Sequence, residues 1–256
     1  MDSLPDLPAS ELPLYERIAD VVRAAIESGQ LGPGARVPGE NELMRRYGVH
    51  RVTARDALGL LRNSGLVEAV PKVGTFVRRF APIYRFGSRR LRKERWTSGR
   101  TIQTAELGDR ALAVDMISVE HVTADDRLAH LLEVEPGAAL LRRSRRYLVD
   151  DKPVQAAVSH LLASVVTGSR ITEEDTGPGG TYARLEELGY GPVRWVEELA
   201  VRMPTPDETR LLGLGPGTPI VTITRVAYTA DDRPIEVNDM TFDASAYVFV
   251  YDITDD

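Results

Sequence analysis

The chain has 256 residues, 43% of them hydrophobic, with no cysteine and a formal net charge of -6. That length admits one large domain or two small ones, and the apolar fraction supports a packed core. The absence of cysteine excludes a disulfide framework, Cys-ligated zinc and a thiol nucleophile.

The chain opens MDSLPDLPAS, without the basic start and apolar run of a signal peptide, and no later run is long enough to cross a bilayer. A cytoplasmic protein with no membrane partner is the expectation. From Leu14 the residues Ile18, Val21, Val22, Ala25 and Ile26 recur at helical spacing, and Gly29, Gly32, Pro33 and Gly34 should end that helix. A second helix fits Glu40–Tyr47. A third runs from about His50 to Asn63, with Val52, Ala57, Leu60 and Leu61 expected inside and Gly65 as its stop. The Tyr47-Gly48-Val49 link suits a helix-turn-helix corner. Two short β-prone runs follow, Leu66–Val70 and Thr75–Val77, joined by a turn with Lys72 at its tip. Three helices and a hairpin make a winged helix.

Arg51 and Arg55 lie four apart and share a face of the third helix. Arginine is the usual bidentate reader of guanine, while His50 and Thr53 are placed to hold phosphate oxygens. Charge agrees with this placement. Residues 1–100 carry eighteen Lys and Arg against eleven Asp and Glu, whereas the remainder has a net charge of -13. A basic half facing a polyanion and an acidic half with a separate task are expected. Residues 80–104, with Arg85, Arg89, Arg90, Arg92, Lys93 and Arg95, show no period and read as a basic linker.

From about residue 105 strands predominate: Met116–Val122, Ala138–Val149, Val154–Leu161, Glu197–Met203, Pro219–Ala227, Ile235–Phe242 and Tyr247–Tyr251, with helices at Asp125–Leu132 and Thr181–Leu188. The fold class is therefore α+β, with a mostly antiparallel second domain.

The ordered string Tyr15-Glu-Arg-Ile-Ala, Pro33-Gly, Val37-Pro-Gly-Glu, Tyr47-Gly-Val-His-Arg-Val-Thr-Ala-Arg-Asp-Ala-Leu and Gly74-Thr-Phe-Val, within residues 12–79, resembles the GntR family of bacterial regulators. That resemblance implies DNA contact by Arg51, Arg55 and the wing glycine Gly74. Three positions depart from the family pattern: Gly39 for a capping serine, His50 for a serine, and Lys72 for the first of two wing glycines. Within 105–253, Arg142–Pro153, Ser159-His-Leu, Gly179-Gly-Thr-Tyr and Asp231-Asp-Arg-Pro-Ile-Glu236 resemble the UTRA domain of the HutC subfamily. The second resemblance implies a chorismate-lyase-like fold, a homodimer and a pocket for a small polar effector. Its contacts would come from Arg145, Ser159, Thr181, Tyr182 and Glu236, with Glu198 as a further position. Tyr147 and Ala157 stand where the family often has a second arginine and an acidic residue.

Taken together, the sequence describes a transcription regulator, most simply a repressor, that binds a roughly palindromic double-stranded operator and answers to the effector. A DNA-binding head on a protein-interaction module is one alternative and a lyase-like enzyme another. Against the enzyme, His121, His130 and His160 lack metal-ligand spacing, and adjacent Ser159 and His160 point to opposite faces of a strand. No catalytic residue, metal or cofactor is assigned.

Overall fold

The computed structural model describes residues 4–79, 82–87, 91, 107 and 110–251, in two compact units whose main boundary lies between Ala81 and Pro82. In the first, α1 (Leu14–Glu27) buries Ile18, Ala19, Val21, Val22 and Ala25. Then come β1 (Arg36–Val37), α2 (Glu40–Tyr47), α3 (Arg51–Asn63), β2 (Val67–Val70) and β3 (Gly74–Val77). The strands form a small antiparallel sheet in the order β1-β3-β2. Glu42 accepts the Gly39 N–H at 2.7 Å and so caps α2 from three residues inside, a task a glycine cannot perform with a side chain. Gly48 adopts φ 65° and ends α2, which sets the corner into α3.

Helix α3 turns Ala54, Ala57, Leu58 and Leu61 into the core. Val52, expected inside, is instead 64% exposed. The inward stripe is phased on Ala54, and a residue two positions earlier lies about 160° away around the helix.

The second unit is a six-stranded antiparallel sheet in the order β5-β6-β7-β10-β9-β8. Its strands are β5 (Leu112–Thr123), β6 (Ala139–Val149), β7 (Lys152–Leu162), β8 (Arg194–Arg202), β9 (Ile220–Tyr228) and β10 (Pro234–Asp243). Helices α4 (Asp126–Leu132), α5 (Ala163–Val166), α6 (Gly180–Glu187) and α7 (Pro206–Leu212) complete it. The main core gathers Leu128, Leu132, Leu140, Leu161, Ile171, Leu185, Ile235 and Val237. Strand β5 begins four residues before the expected start and carries a bulge between Asp115 and Ser118. Helix α7 was not expected, although Thr205-Pro-Asp-Glu208 is a complete capping box: Thr205 accepts the Glu208 N–H, and Glu208 accepts the Thr205 N–H at 2.8 Å.

Part of the expected linker is ordered structure. Ile83–Phe86 forms β4, which pairs in parallel with β11 (Tyr247–Val250). Ile83 and Arg85 face inward and are buried, so the short segment hides its alternation behind a charged residue. Arg89, Arg90, Arg92, Lys93 and Arg95 lie outside the described residues.

Leu61 is fully buried, so Leu61→Ala should destabilise the protein by about 2–5 kcal/mol in urea denaturation. The exposed Val52→Ala should change stability by less than about 0.5 kcal/mol in the same measurement.

Candidate nucleic-acid interface and ligand cavity

The first candidate site surrounds the start of α3. His50 occupies its N-cap with extended backbone, is exposed, and makes no side-chain capping bond. The helix therefore begins without a side-chain acceptor, an arrangement that favours an anion in front of it. Arg51 and Arg55 are both more than half exposed on the same face. One carboxylate tethers them: Glu40 lies 3.7 Å from Arg51 Nε and accepts from Arg55 Nε at 3.2 Å. Arg51 Nη2 also donates to Asn41 Oδ1 at 3.1 Å. Thr53 is half-buried beside them. Glu40 and Asn41 went unnoticed in the sequence because they sit on α2, ten or more residues away.

The wing presents its own cation. Lys72 is exposed at the turn between β2 and β3 and adopts φ 64°, a left-handed conformation costing roughly 1–2 kcal/mol for a residue with a Cβ. Gly74, half-buried, follows at φ 150°.

The second candidate site is a cavity of about 520 Å³ over one face of the large sheet. Strand register builds its floor. Arg143 on β6 pairs with Ser159 on β7, Ser159 with Asn238 on β10, Asn238 with Arg225 on β9, and Arg225 with Glu197 on β8. Directly paired residues share a face, so five neighbouring strands lay down one polar row across the sheet. Arg143, Ser159, Arg225 and Asn238 are all at most 5% exposed. Flanking rows bring Arg145, Tyr147 and Glu236 to the same face, one or two pleats away.

The stretch before α6 and the first residues of that helix form the roof. Arg143 donates to the carbonyls of Ile171 and Glu173, and to that of Glu174 at 2.9 Å. Burial, together with neighbouring Arg145, pulls the Arg143 guanidinium down to about 10. Gly179, Gly180, Thr181 and Tyr182 line the cavity from the start of α6. Opposite them lie Leu112, Val114 and Ile117 of β5.

Arg145 is held from behind, its Nε donating to the Tyr147 hydroxyl at 2.7 Å and its Nη2 to Ser159 Oγ at 2.9 Å. Its Nη1 is buried and has no partner among the described residues. Burial opposes the Arg145 charge, but Tyr147 and Glu236 outweigh that effect and hold its pKa above the ordinary value. Glu236 is 1% exposed beside Tyr182, whose hydroxyl is pushed up by burial. Arg225 lies over the Tyr182 ring at 5.5 Å and reaches Glu197 at 3.8 Å.

Glu197 faces a second cation. Arg85 of β4, fully buried, donates from both terminal nitrogens to the Glu197 carboxylate, at 3.0 Å for one of them. Its guanidinium lies 5.6 Å from the rings of both Phe242 and Phe249. Arg85 is thus paired by Glu197, while the cavity itself is lined by the guanidiniums of Arg143, Arg145 and Arg225 and by the carboxylates of Glu236, which is buried, and of Glu174 and Asp175, which are exposed. A buried polar nitrogen without a partner is costly, which singles out Arg145 Nη1 within this lining.

The structure sorts the expected effector contacts. Arg145, Thr181, Tyr182 and Glu236 line the cavity together. Ser159 sits behind them and fixes Arg145. Glu198 is exposed on the opposite face of β8, near Arg127, and does not reach the cavity. Its neighbour Glu197 takes the inward place. Arg143, Arg225 and Glu197 were not foreseen, since only the strand register reveals that they share a row. Ser159 and His160 do face opposite ways: His160 pairs with Arg142 and Val237, in the row behind.

Residues 14–77 match the family model described as "Bacterial regulatory proteins, gntR family", and residues 108–248 match that of the UTRA domain. The chain is 31% identical to the HTH-type transcriptional regulator RB1450 of Rhizobium meliloti, over 90% of this chain and 91% of that protein. It is 25% identical to the HTH-type transcriptional repressor NagR of Bacillus subtilis, over 94% and 95% of the two chains. The crystal structure of PhnF from Mycobacterium smegmatis is similar with a TM-score of 0.58 at 26% identity, covering 93% of this chain and 98% of that one.

Replacing Lys72 by glycine tests the wing. Lys72→Gly should leave thermal stability unchanged or higher, because relief of the left-handed backbone offsets the entropy of a glycine. DNA binding should weaken, and the dependence of log K on log salt should flatten by about one, as measured by fluorescence anisotropy over a salt series.

Proposed function

The chain belongs to the GntR family of bacterial regulatory proteins and carries a UTRA domain, and from that premise we propose a repressor that an anionic effector releases from DNA. It is a DNA-binding transcription regulator whose affinity is modulated by a small molecule. The observation that carries the anionic reading is the buried Nη1 of Arg145, without a partner among the described residues, in a cavity that Arg143 and Arg225 also line. The anionic group of the effector seats between Arg145 Nη1, Arg225 and the start of α6, while Glu236 takes a hydroxyl or amine from the same ligand. The repressor sense follows the relatives: NagR bears that word in its name, as does the mannosyl-D-glycerate system repressor MngR of Escherichia coli, 27% identical.

Two subunits read two half-sites of a roughly palindromic operator, since protein and site then share one two-fold axis. Arg51, Arg55, His50, Thr53, Lys72 and Gly74 supply the DNA contacts, from the winged-helix unit within residues 12–79. The second subunit covers the edge strand β8, which exposes Val196, Leu199, Val201 and the following Met203. An exposed apolar edge of that length invites pairing. The protein works in the cytoplasm, where its operator is, and is not an enzyme: the Ser159 hydroxyl is engaged by Arg145, and His160 faces away from it.

Effector and DNA are linked through Glu197, which Arg225 of the cavity shares with Arg85 of β4. An anion on Arg225 lessens the repulsion between the two arginines and so favours the docked form of β4. Linkage permits an effect on DNA only through such a difference in ligand affinity between two states.

Two measurements decide this reading. A gel shift on the gene's own upstream region, with unrelated duplex as competitor, should give a specific complex. Arg51→Ala or Arg55→Ala should weaken that complex by about 1–3 kcal/mol; normal binding by both variants would remove α3 from the interface. A panel of small phosphorylated and carboxylated compounds should contain members that raise the melting temperature and release the DNA. Arg145→Met should abolish both responses, and a panel in which only cationic or neutral compounds act would overturn the anionic assignment.

A further inference from the structure

Helix α3 carries one feature that neither phosphate contact nor guanine recognition uses. Val52, the second residue of the helix, is 64% exposed, although its neighbours Ala54, Ala57 and Leu58 are buried. It stands one residue after Arg51 and three before Arg55, so its isopropyl group opens onto the surface that presents the two arginines. A β-branched side chain in a helix keeps essentially one rotamer, so the two methyl groups are fixed before any partner arrives. An apolar group held rigidly in the first turn of a DNA-reading helix has a restricted set of partners. Phosphates, sugars and most base edges are polar. The major groove offers one methyl group, on C5 of thymine.

We propose that Val52 is a base-reading residue that packs on the C5-methyl of a thymine in each half-site, beside the bases contacted by Arg51 and Arg55. This rests on the assignment of α3 as the recognition helix. Val73 at the wing tip is similarly exposed, at 61%. The minor groove next to a wing carries no methyl, so the same reading does not extend to it.

The test uses the full chain. Duplexes are first selected from a random-sequence library, and each thymine of the recovered half-site is then replaced singly by deoxyuridine. That exchange removes the methyl and keeps every hydrogen bond. One thymine per half-site should respond with a loss of about four-fold in affinity, the worth of burying one methyl group. Val52→Ala should bind the thymine and uracil duplexes equally, and Val52→Thr, which keeps one methyl, should retain part of the preference. Arg51→Ala should weaken binding to both duplexes while leaving their ratio intact, which separates loss of the methyl contact from general loss of the interface. Melting curves of the Val52 variants should superimpose on that of the parent. A half-site with no methyl-sensitive thymine, or a Val52→Ala variant that still prefers thymine, overturns the proposal. Failure to select any duplex overturns the recognition-helix assignment itself, and the proposal with it.

Discussion

The second unit is organised around arginines that it buries against one face of its sheet. Arg85, Arg143, Arg145 and Arg225 lie with Glu197 and Glu236; the carbonyls of Ile171, Glu173 and Glu174 accept from Arg143, and the hydroxyls of Tyr147 and Ser159 accept from Arg145. Hydrogen bonding to neutral oxygens solvates an arginine without cancelling its charge. Arg143 shows the consequence, since burial and the nearby Arg145 together draw its proton affinity down. The rest of the architecture serves to keep these cations together. Five neighbouring antiparallel strands fix the row, the roof before α6 is anchored on Arg143, and Tyr147 with Ser159 fixes Arg145. On the proposed reading an anion answers the buried Nη1 of Arg145, and the cavity is then the place where a ligand acts on the fold.

The proposed DNA-binding face uses arginine in the opposite way. Glu40 holds Arg51 and Arg55, the arginines proposed to read DNA, at the surface, where solvent screens the interaction and its strength is small. Such a tether keeps two long side chains extended over one patch and yields to a phosphate or a guanine edge at little cost. The two halves of the molecule thus treat arginine oppositely: exposed and loosely paired where it must let go, buried and densely contacted where it must stay.

Much of this was legible beforehand. Helix α2 lies where its breakers put it, α3 begins at Arg51 after the Gly48 corner, and the long strands β6, β7, β9 and β10 fall within two residues of their expected limits. Three kinds of information were not in the local pattern. Helix phase was one: with Ala54 uncounted, Val52 looked like a core residue. Strand parity was another, because Glu197 and Glu198 differ by one residue and therefore by a whole face of the sheet. The third was register. Arg143, Arg225 and Asn238 are far apart in sequence and become neighbours only when β6, β7, β10 and β9 are aligned, which no single segment specifies.

The pairing of β4 with β11 joins residues 83–86 to residues 247–250, across almost the whole length of the second unit. During synthesis the winged helix is complete long before its neighbour, and domains generally fold as they emerge. Arg85, by contrast, cannot be buried until Glu197 and the aromatic rings of β10 and β11 have been made. A nascent chain therefore carries the helices and hairpin of residues 14–77 while β4 still lacks a partner, and the ribosome must reach the last strand before Arg85 can be buried. Burial of Arg85 is in this sense the final step in assembling the second unit.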